Sequence, residues 1–217
     1  RIHIGLIENK VIAMKKLIIG LLLATFWACN TKYNYIDTGI SDGVHDCSML
    51  EYLKGDSYNW DTIVRVIERA GLTSLFEGEG PGEQITFLGP TNHSIRNWMY
   101  DSAYIDVNSI PADTCKKIVL RHVIKGRYMM TDIPRGSIGT SASSGRDGGV
   151  EMSTLGGGKV WLYTVSTPAH GVEDAGPLTL YCVSLDFQKS IPLACPDIQT
   201  NTGVVISLDY NFYCGEL

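Results

Sequence analysis

Three adjacent side chains near the start of the globular part of the chain could bind a metal ion. His45, Asp46 and Cys47 are all common ligand types. Structural zinc sites use four ligands, usually supplied as two closely spaced pairs. The sequence has no second pair at such spacing. We therefore predict no metal site and no cofactor.

Two other groups of residues have types that occur in catalytic or nucleotide-binding sites. Residues 156–159 read Gly-Gly-Gly-Lys, but Val160 stands where a phosphate-binding loop needs Ser or Thr. Cys115 and His122 are seven residues apart on a predicted helix, a rise of about 10 Å that is too long for a hydrogen bond. We predict a flexible hairpin, two core positions and no catalytic residues. Paired carboxylates for glycoside hydrolysis stay open, because such groups meet only in the fold.

Aromatic residues on two predicted strands could bind sugars. Trp161 and Tyr163 lie in the apolar run 160–165, and Tyr181 lies in the alternating run 178–187. Aromatic faces stack on sugar rings, but they also pack within sheets. The first interpretation gives an alternative function, a glycan-binding accessory protein or a polysaccharide hydrolase.

The composition limits the class of protein. The chain has 217 residues, of which 44% are hydrophobic and 19% charged, with a formal charge of −5. These values are typical of a globular domain and exclude collagen-like and wholly disordered chains. Lysine and arginine form no stripe that could follow phosphates, so we expect no nucleic-acid partner.

The first 28 residues have the pattern of an export signal. Lys15 and Lys16 precede an apolar run at 17–24, which is too short to span a bilayer comfortably. We predict that residues 14–28 form a signal peptide. Met14 just before the lysines indicates that residues 1–13 are upstream, non-native sequence.

The end of this segment points to lipid attachment. Ala28-Cys29 resembles the lipobox of bacterial lipoproteins, in which the cysteine becomes the lipidated first residue, although ordinary signal cleavage is an alternative. We predict Cys29 as the lipid anchor and the polar residues 29–46 as a tether. The expected location is a bacterial cell envelope, at the outer membrane.

The most informative stretch for the fold is 85–92. Its four apolar and β-branched residues predict a short buried strand, and Gly89-Pro90 must end it because proline cannot donate to a central ladder. Thr91 or Asn92 then suits a helix N-cap. Apolar residues at 95, 98 and 99 form the inner face of the helix that follows.

This strand, corner and cap resemble the first signature motif of the fasciclin domain family, with Gly89 in the position of the family's alanine. Residues 120–128 resemble the second motif, in which His122 matches and Arg121 replaces the usual tyrosine. Asp197-Ile198 and the turn at 201–203 resemble the closing segment of the family, where Thr202 and Ile206 replace the usual Asn and His.

The resemblance implies an α+β fasciclin-domain fold over residues 47–217, a β-wedge of two small sheets flanked by several helices. A Gly- and Ser-rich stretch at about 134–159 is expected to form an exposed hairpin or loop. The resemblance also implies a non-catalytic adhesion or interaction module that binds an extracellular or envelope protein or glycan. Its candidate interaction residues are Arg121, His122, Asp197 and Ile198.

Overall fold

The computed structural model shows a mixed fold in which the helices come first and most strands later. It describes residues 43–78, 84–138, 145–169, 171–172 and 175–217. The α-helices in this part of the chain are α1 (Met49–Gly55), α2 (Ser57–Arg69), α3 (Thr73–Glu77), α4 (Asn92–Asp101) and α5 (Ala112–Arg121). The strands are β1 (Ile85–Gly89), β2 (Val123–Lys125), β3 (Gly136–Ile138), β4 (Arg146–Gly148), β5 (Val150–Ser153), β6 (Lys159–Ser166), β7 (Leu178–Ser184), β8 (Lys189–Ile191), β9 (Leu193–Thr200) and β10 (Gly203–Leu208).

The first four-stranded sheet joins the two ends of the domain in the order β2-β1-β10-β9. β1 runs parallel to β10, with Phe87 opposite Val205, and both strands are almost wholly buried. A glycine is required where β10 begins. Gly203 has φ of +152°, and a Cβ there would lie 1.9 Å from the carbonyl oxygen of Ile85.

The second four-stranded sheet is an antiparallel meander, β5-β6-β7-β8, and β3 and β4 form a separate hairpin beside it. The segment 134–159 therefore contains the exposed hairpin strands and also β5, which pairs with β6. Residues 139–144 of that segment lie outside the described part. The α+β class with small sheets and flanking helices is confirmed.

Local capping explains where the first helices begin. The Ser48 hydroxyl accepts from the Glu51 amide at 3.2 Å, while the Glu51 carboxylate accepts from the Ser48 amide at 2.9 Å. A single residue separates α2 from α1. The N-cap of α2 is Asp56, whose carboxylate accepts from the backbone of Asn59.

The helix carrying the second motif is shorter than predicted. Its apolar pattern continues through Val123, but α5 ends at Arg121 and Val123 already belongs to β2. The backbone amide of Leu88 donates to the His122 carbonyl at 2.8 Å. The residue that caps this helix is therefore hydrogen-bonded to β1. In the described ranges, no helix combines the length and the apolar character needed to cross a bilayer.

Candidate interaction surface

Arg121 is held by contacts within the domain. Its Nη2 lies 2.6 Å from the Asp186 carboxylate, and its Nε donates to the carbonyl oxygen of Leu217. The guanidinium carbon lies 5.8 Å from the centre of the Phe187 ring. The predicted recognition side chain thus already has a carboxylate, a carbonyl and an aromatic partner in its own chain.

His122 is buried, with 1% of its surface exposed. Its Nδ1 lies 2.8 Å from the carbonyl oxygen of Ile118, and its ring meets Phe212 edge to face at 5.8 Å. Burial lowers the pKa of His122 from 6.5 to about 4, because the charged form would lose its hydration. The neutral imidazole is therefore a packing element of this structure.

Asp197 and Ile198 also have structural contacts. Asp197 has φ of +63°, and its carboxylate accepts from the Met130 amide at 2.6 Å. Partial burial raises the pKa of Asp197, while this hydrogen bond opposes the shift. Ile198 is buried on β9 opposite Val205.

The structure does not bring the four predicted interaction residues together. Arg121 and His122 precede β2 at one edge of the first sheet, whereas Asp197 and Ile198 lie on β9 at the other edge. An interaction role for these residues stays a prediction. The burial of His122 and Ile198 means that they could act only through their neighbours.

The four residues of the first motif have a clear architectural role. Gly89 packs on the ring of Trp60, where a Cβ would approach Cζ3 to 2.8 Å. Pro90 follows it, and Thr91 is the N-cap of α4. Asn92 is not the N-cap, because it is the first helical residue of α4. Its buried side chain forms hydrogen bonds with α2 instead.

Asn92 fixes the start of α4 against the start of α2. Its Oδ1 accepts from the Thr62 amide at 2.6 Å, and its Nδ2 donates to the carbonyl oxygens of Ser57 and Tyr58 at 3.0 and 2.8 Å. These bonds hold the backbone of Tyr58 beside the first turn of α4. The motif therefore fixes the relative position of the solvent-facing side chains of α2 and α4.

The aromatic residues that could have bound sugars form a stacked row beneath the hairpin. Trp161 and Tyr163 have ring centres 4.2 Å apart, and Tyr163 and Tyr181 have centres 5.0 Å apart. Trp161 is 3% and Tyr163 7% exposed, and only Tyr181, at 39%, reaches solvent well. The Trp161 indole donates to the Gly148 carbonyl of the hairpin at 3.1 Å. This row is sheet packing.

The cysteines and metal-ligand types form no site in the described residues. Five cysteines are described and all are free thiols: Cys47, Cys115, Cys182, Cys195 and Cys214. Burial raises the pKa of Cys182 and of Cys214 to about 12, which makes them inert packing groups. Within the described ranges, no group of three or more His, Cys, Asp or Glu side chains is placed to hold a metal ion.

A different surface, on the outer side of α4, has the composition of a contact site. Tyr58, Tyr100 and Ile105 are between 85% and 95% exposed, and Tyr210 is 58% exposed. We call Tyr58, His93, Arg96, Tyr100, Ile105 and Tyr210 the Arg96 surface. Large exposed side chains are ordinary when scattered, but several together indicate an interaction site.

Arg96 joins two shallow pockets of this surface. A pocket of about 450 Å³ is lined by Arg96, Met99, Tyr100, Ala103, Tyr104 and Ile105. A second pocket, of about 180 Å³, has Arg96 at its border together with Tyr58, His93 and Tyr210. The rings of His93 and Tyr210 stack with centres 3.8 Å apart and planes 7° apart, which makes a rigid wall.

The loop after α4 presents Ile105. The helix closes with Ala103 in the left-handed region, at φ of +58°, and the Tyr104 amide donates to the Met99 carbonyl at 2.8 Å. The rings of Trp98 and Tyr104 meet with centres 5.5 Å apart. This reversal leaves Ile105 pointing away from the core.

Sequence reasoning missed this surface. One signal was present, because His93, Arg96 and Tyr100 fall at i, i+3 and i+7 on the polar side of the predicted helix. Tyr210 gave none. It lies in the turn that follows β10, which ends at Leu208.

Comparison with known proteins now decides the family. The model of the fasciclin domain matches residues 58–212, most of the chain. The chain belongs to the fasciclin domain family. A solved FAS1 domain pair from the insect cell adhesion molecule Fasciclin I is similar in fold, with a TM-score of 0.51 and 19% identity. The match covers 76% of this chain and 50% of that one, so the chain spans about half the length of this relative. Among curated proteins, none matches this chain.

Membership in the fasciclin family confirms the resemblance found in the sequence motifs. It indicates an extracellular or cell-surface interaction domain, in a family whose domains are generally non-catalytic. In this fasciclin domain, the Thr202 side chain links the turn before β10 to the start of α1 and to α3. Its hydroxyl accepts from the Met49 amide at 2.9 Å and donates to the Phe76 carbonyl at 3.0 Å.

Proposed function

We propose that this fasciclin domain is a non-catalytic adhesion module of a bacterial cell envelope that binds extracellular or envelope proteins through the Arg96 surface. The observation that carries the proposal is the exposure of Tyr58, Tyr100 and Ile105, each at least 85%, around one helix. Tyrosine and arginine are enriched at the centres of protein interfaces. Family membership supports the adhesion role.

The glycan-binding alternative has less support. It depended on Trp161 and Tyr163, and both rings are covered by the β3–β4 hairpin. A sugar could stack there only after the hairpin had moved. The protein-binding function therefore fits the geometry better.

Binding of cells by vesicles that carry the protein tests the adhesion function. The full chain would be expressed in a bacterial host, purified with its lipid and reconstituted in vesicles. We expect these vesicles to adhere to cells of the source organism and to lose adhesion when the cells are treated with protease. A Tyr58→Ser, Tyr100→Ser, Ile105→Ser triple variant should adhere at least tenfold less, since it removes the exposed apolar area.

A matched triple variant controls for the general loss of apolar surface. Ile138→Ser, Val172→Ser and Tyr181→Ser also change exposed side chains, but these residues belong to neither α2, α4 nor the loop after α4. This control should adhere as well as the parent protein. Equal adhesion of both triple variants, or no adhesion of the parent protein, would contradict the proposed function.

The proposed lipid anchor has its own test. Cys29 lies outside the described residues, and its attachment to lipid is part of the proposal. Metabolic labelling with an alkyne fatty acid should label the wild-type protein and fail to label a Cys29→Ser variant. Labelling of both proteins, or of neither, would contradict an anchor at this residue.

A further inference from the structure

We propose that the Arg96 surface recognises a short extended protein segment in which an acidic side chain and a bulky apolar side chain are separated by one residue. This inference rests on the adhesion function proposed above and adds the chemical class of the partner. It follows from the charge of Arg96 and from the two unlike pockets that Arg96 joins.

The first argument is charge complementarity. The described residues form ion pairs at Lys54–Glu68, Arg121–Asp186, Lys159–Glu151 and Lys189–Glu216, and Arg96 takes part in none of these. None of the six residues that define the surface is acidic, and none of these ion pairs joins Arg96 to a neighbouring carboxylate. Asp101, Asp106 and Asp209 adjoin Tyr100, Ile105 and Tyr210 in the sequence. A planar guanidinium with open donors beside aromatic rings suits a carboxylate, which it can bind through two parallel hydrogen bonds.

The second argument is the apolar pocket. Met99, Tyr104 and Ile105 contribute hydrophobic wall to the cavity of about 450 Å³. This volume lies within the roughly 300–1,000 Å³ of typical ligand pockets. Ile105 is almost fully exposed at the rim and would be covered by a partner's side chain. A bulky apolar side chain gains most from this pocket, whereas a sugar hydroxyl would lose hydration there.

The third argument is the spacing. Arg96 lines both pockets, so a carboxylate bound to it lies beside the apolar pocket. An extended chain advances about 3.3 Å per residue and places successive side chains on opposite faces, so acidic and apolar side chains that both face this surface are separated by one residue. The smaller pocket, with the His93–Tyr210 wall, then receives the next part of the segment. A peptide can supply the carboxylate, the apolar side chain and the short distance between them.

Selection from a displayed library of random twelve-residue peptides tests this inference. The full chain in detergent would be the target, and an Arg96→Glu variant would be used to remove peptides that bind elsewhere. We expect the enriched peptides to share Asp or Glu separated by one residue from Leu, Ile, Phe or Met. The best of them would be synthesised and measured by fluorescence anisotropy.

Charge-reversed variants give the quantitative result. Arg96→Glu should weaken binding of the selected peptides by about tenfold to a hundredfold, because it replaces a charge-assisted bond with repulsion. Arg96→Lys should weaken it less. Lys116→Glu makes the same change of charge at an exposed position on α5 and should alter affinity less than twofold. Unchanged thermal unfolding of the Arg96 variants would show that they remain folded.

Two results would overturn the inference. One is a selection that yields no Arg96-dependent peptide, or peptides without the acidic and apolar pair. The other is Arg96-dependent binding of an acidic polysaccharide, with polygalacturonate as the probe, in place of any peptide. In either case continued protein-dependent adhesion of the vesicles would leave the proposed function standing, whereas loss of adhesion as well would overturn both.

Discussion

Arg96 and Arg121 both lie on helices beside aromatic rings, but their guanidinium groups have different surroundings. Arg121 meets Asp186, the Leu217 carbonyl and Phe187 within the chain. Arg96 stands between two open pockets and is in none of the described ion pairs. An arginine that is neutralised inside a domain contributes to its stability, whereas one left open is available to a partner.

The aromatic residues show the same contrast. Trp161 and Tyr163 are stacked and buried, while Tyr58 and Tyr100 are almost fully exposed. Exposed rings are ordinary when they are scattered over a surface, whereas several that lie together indicate an interaction site. The buried rings stabilise the second sheet, and the exposed rings lie on the surface that we propose for recognition.

The largest expected effect comes from the buried aromatic row. Trp161→Ala should lower the free energy of unfolding by about 3–5 kcal/mol, because it empties a packed site under the hairpin. Tyr100→Ala should change it by less than about 0.5 kcal/mol. Urea denaturation of both variants measures the difference. Similar losses for the two would remove the basis of the comparison.

The second effect is a pH dependence at His122. Its folded pKa of about 4 lies below the unfolded value of 6.5, so the unfolded chain binds the proton more readily. Stability is full above pH 6.5 and falls by about 3 kcal/mol as the pH drops through 4. Unfolding free energies from pH 7.5 to 4 should show this slope in the wild type and lack it in His122→Gln. Parallel curves for the two proteins would exclude this contribution.

The third effect separates the two arginines directly. Arg121→Ala should cost about 1–2 kcal/mol, since it breaks a partly exposed ion pair and a hydrogen bond. Arg96→Ala should cost less than about 0.5 kcal/mol. Thermal unfolding of both variants is sufficient. Equal destabilisation would mean that Arg96 also has a structural role.

The smallest effect is a gain in stability at the loop that presents Ile105. Ala103 occupies a left-handed conformation that costs a residue with a Cβ about 1–2 kcal/mol. Ala103→Gly relieves this strain but adds freedom to the unfolded chain, so we expect a net gain of about 0.5–1 kcal/mol. Calorimetry should show a higher Tm. A lower Tm would mean that the Ala103 methyl group packs more tightly than the strain costs.

The sequence predicted the architecture better than the surface. Local patterns were sufficient for β1, for the apolar face of α4 and for β6, because periodicity and corner residues act over a few positions. Motif order then gave the family, which the comparison confirmed. Local patterns do not determine the cap of α2 at Asp56 or the end of β10 at Leu208, since several nearby residues fit each boundary.

The candidate site depended on contacts between distant segments. Whether Trp161 is covered depends on the hairpin β3–β4, and the position of Tyr210 depends on a turn that follows the last strand. No local pattern shows which of two similar tyrosines will be exposed. The role of Asn92 is equally non-local, because its side chain binds the backbone of a helix some 30 residues earlier.

Oxidative footprinting of the protein on intact cells tests the central claim most directly. Tyr58, Tyr100 and Tyr210 should be oxidised several-fold less on cells than in the purified protein, because a bound partner covers the Arg96 surface. Tyr181 and Phe187 are also exposed, but they do not belong to the Arg96 surface. They should be oxidised equally in both samples. Protection of Tyr181 and Phe187 with full oxidation of Tyr58 and Tyr100 would contradict the account.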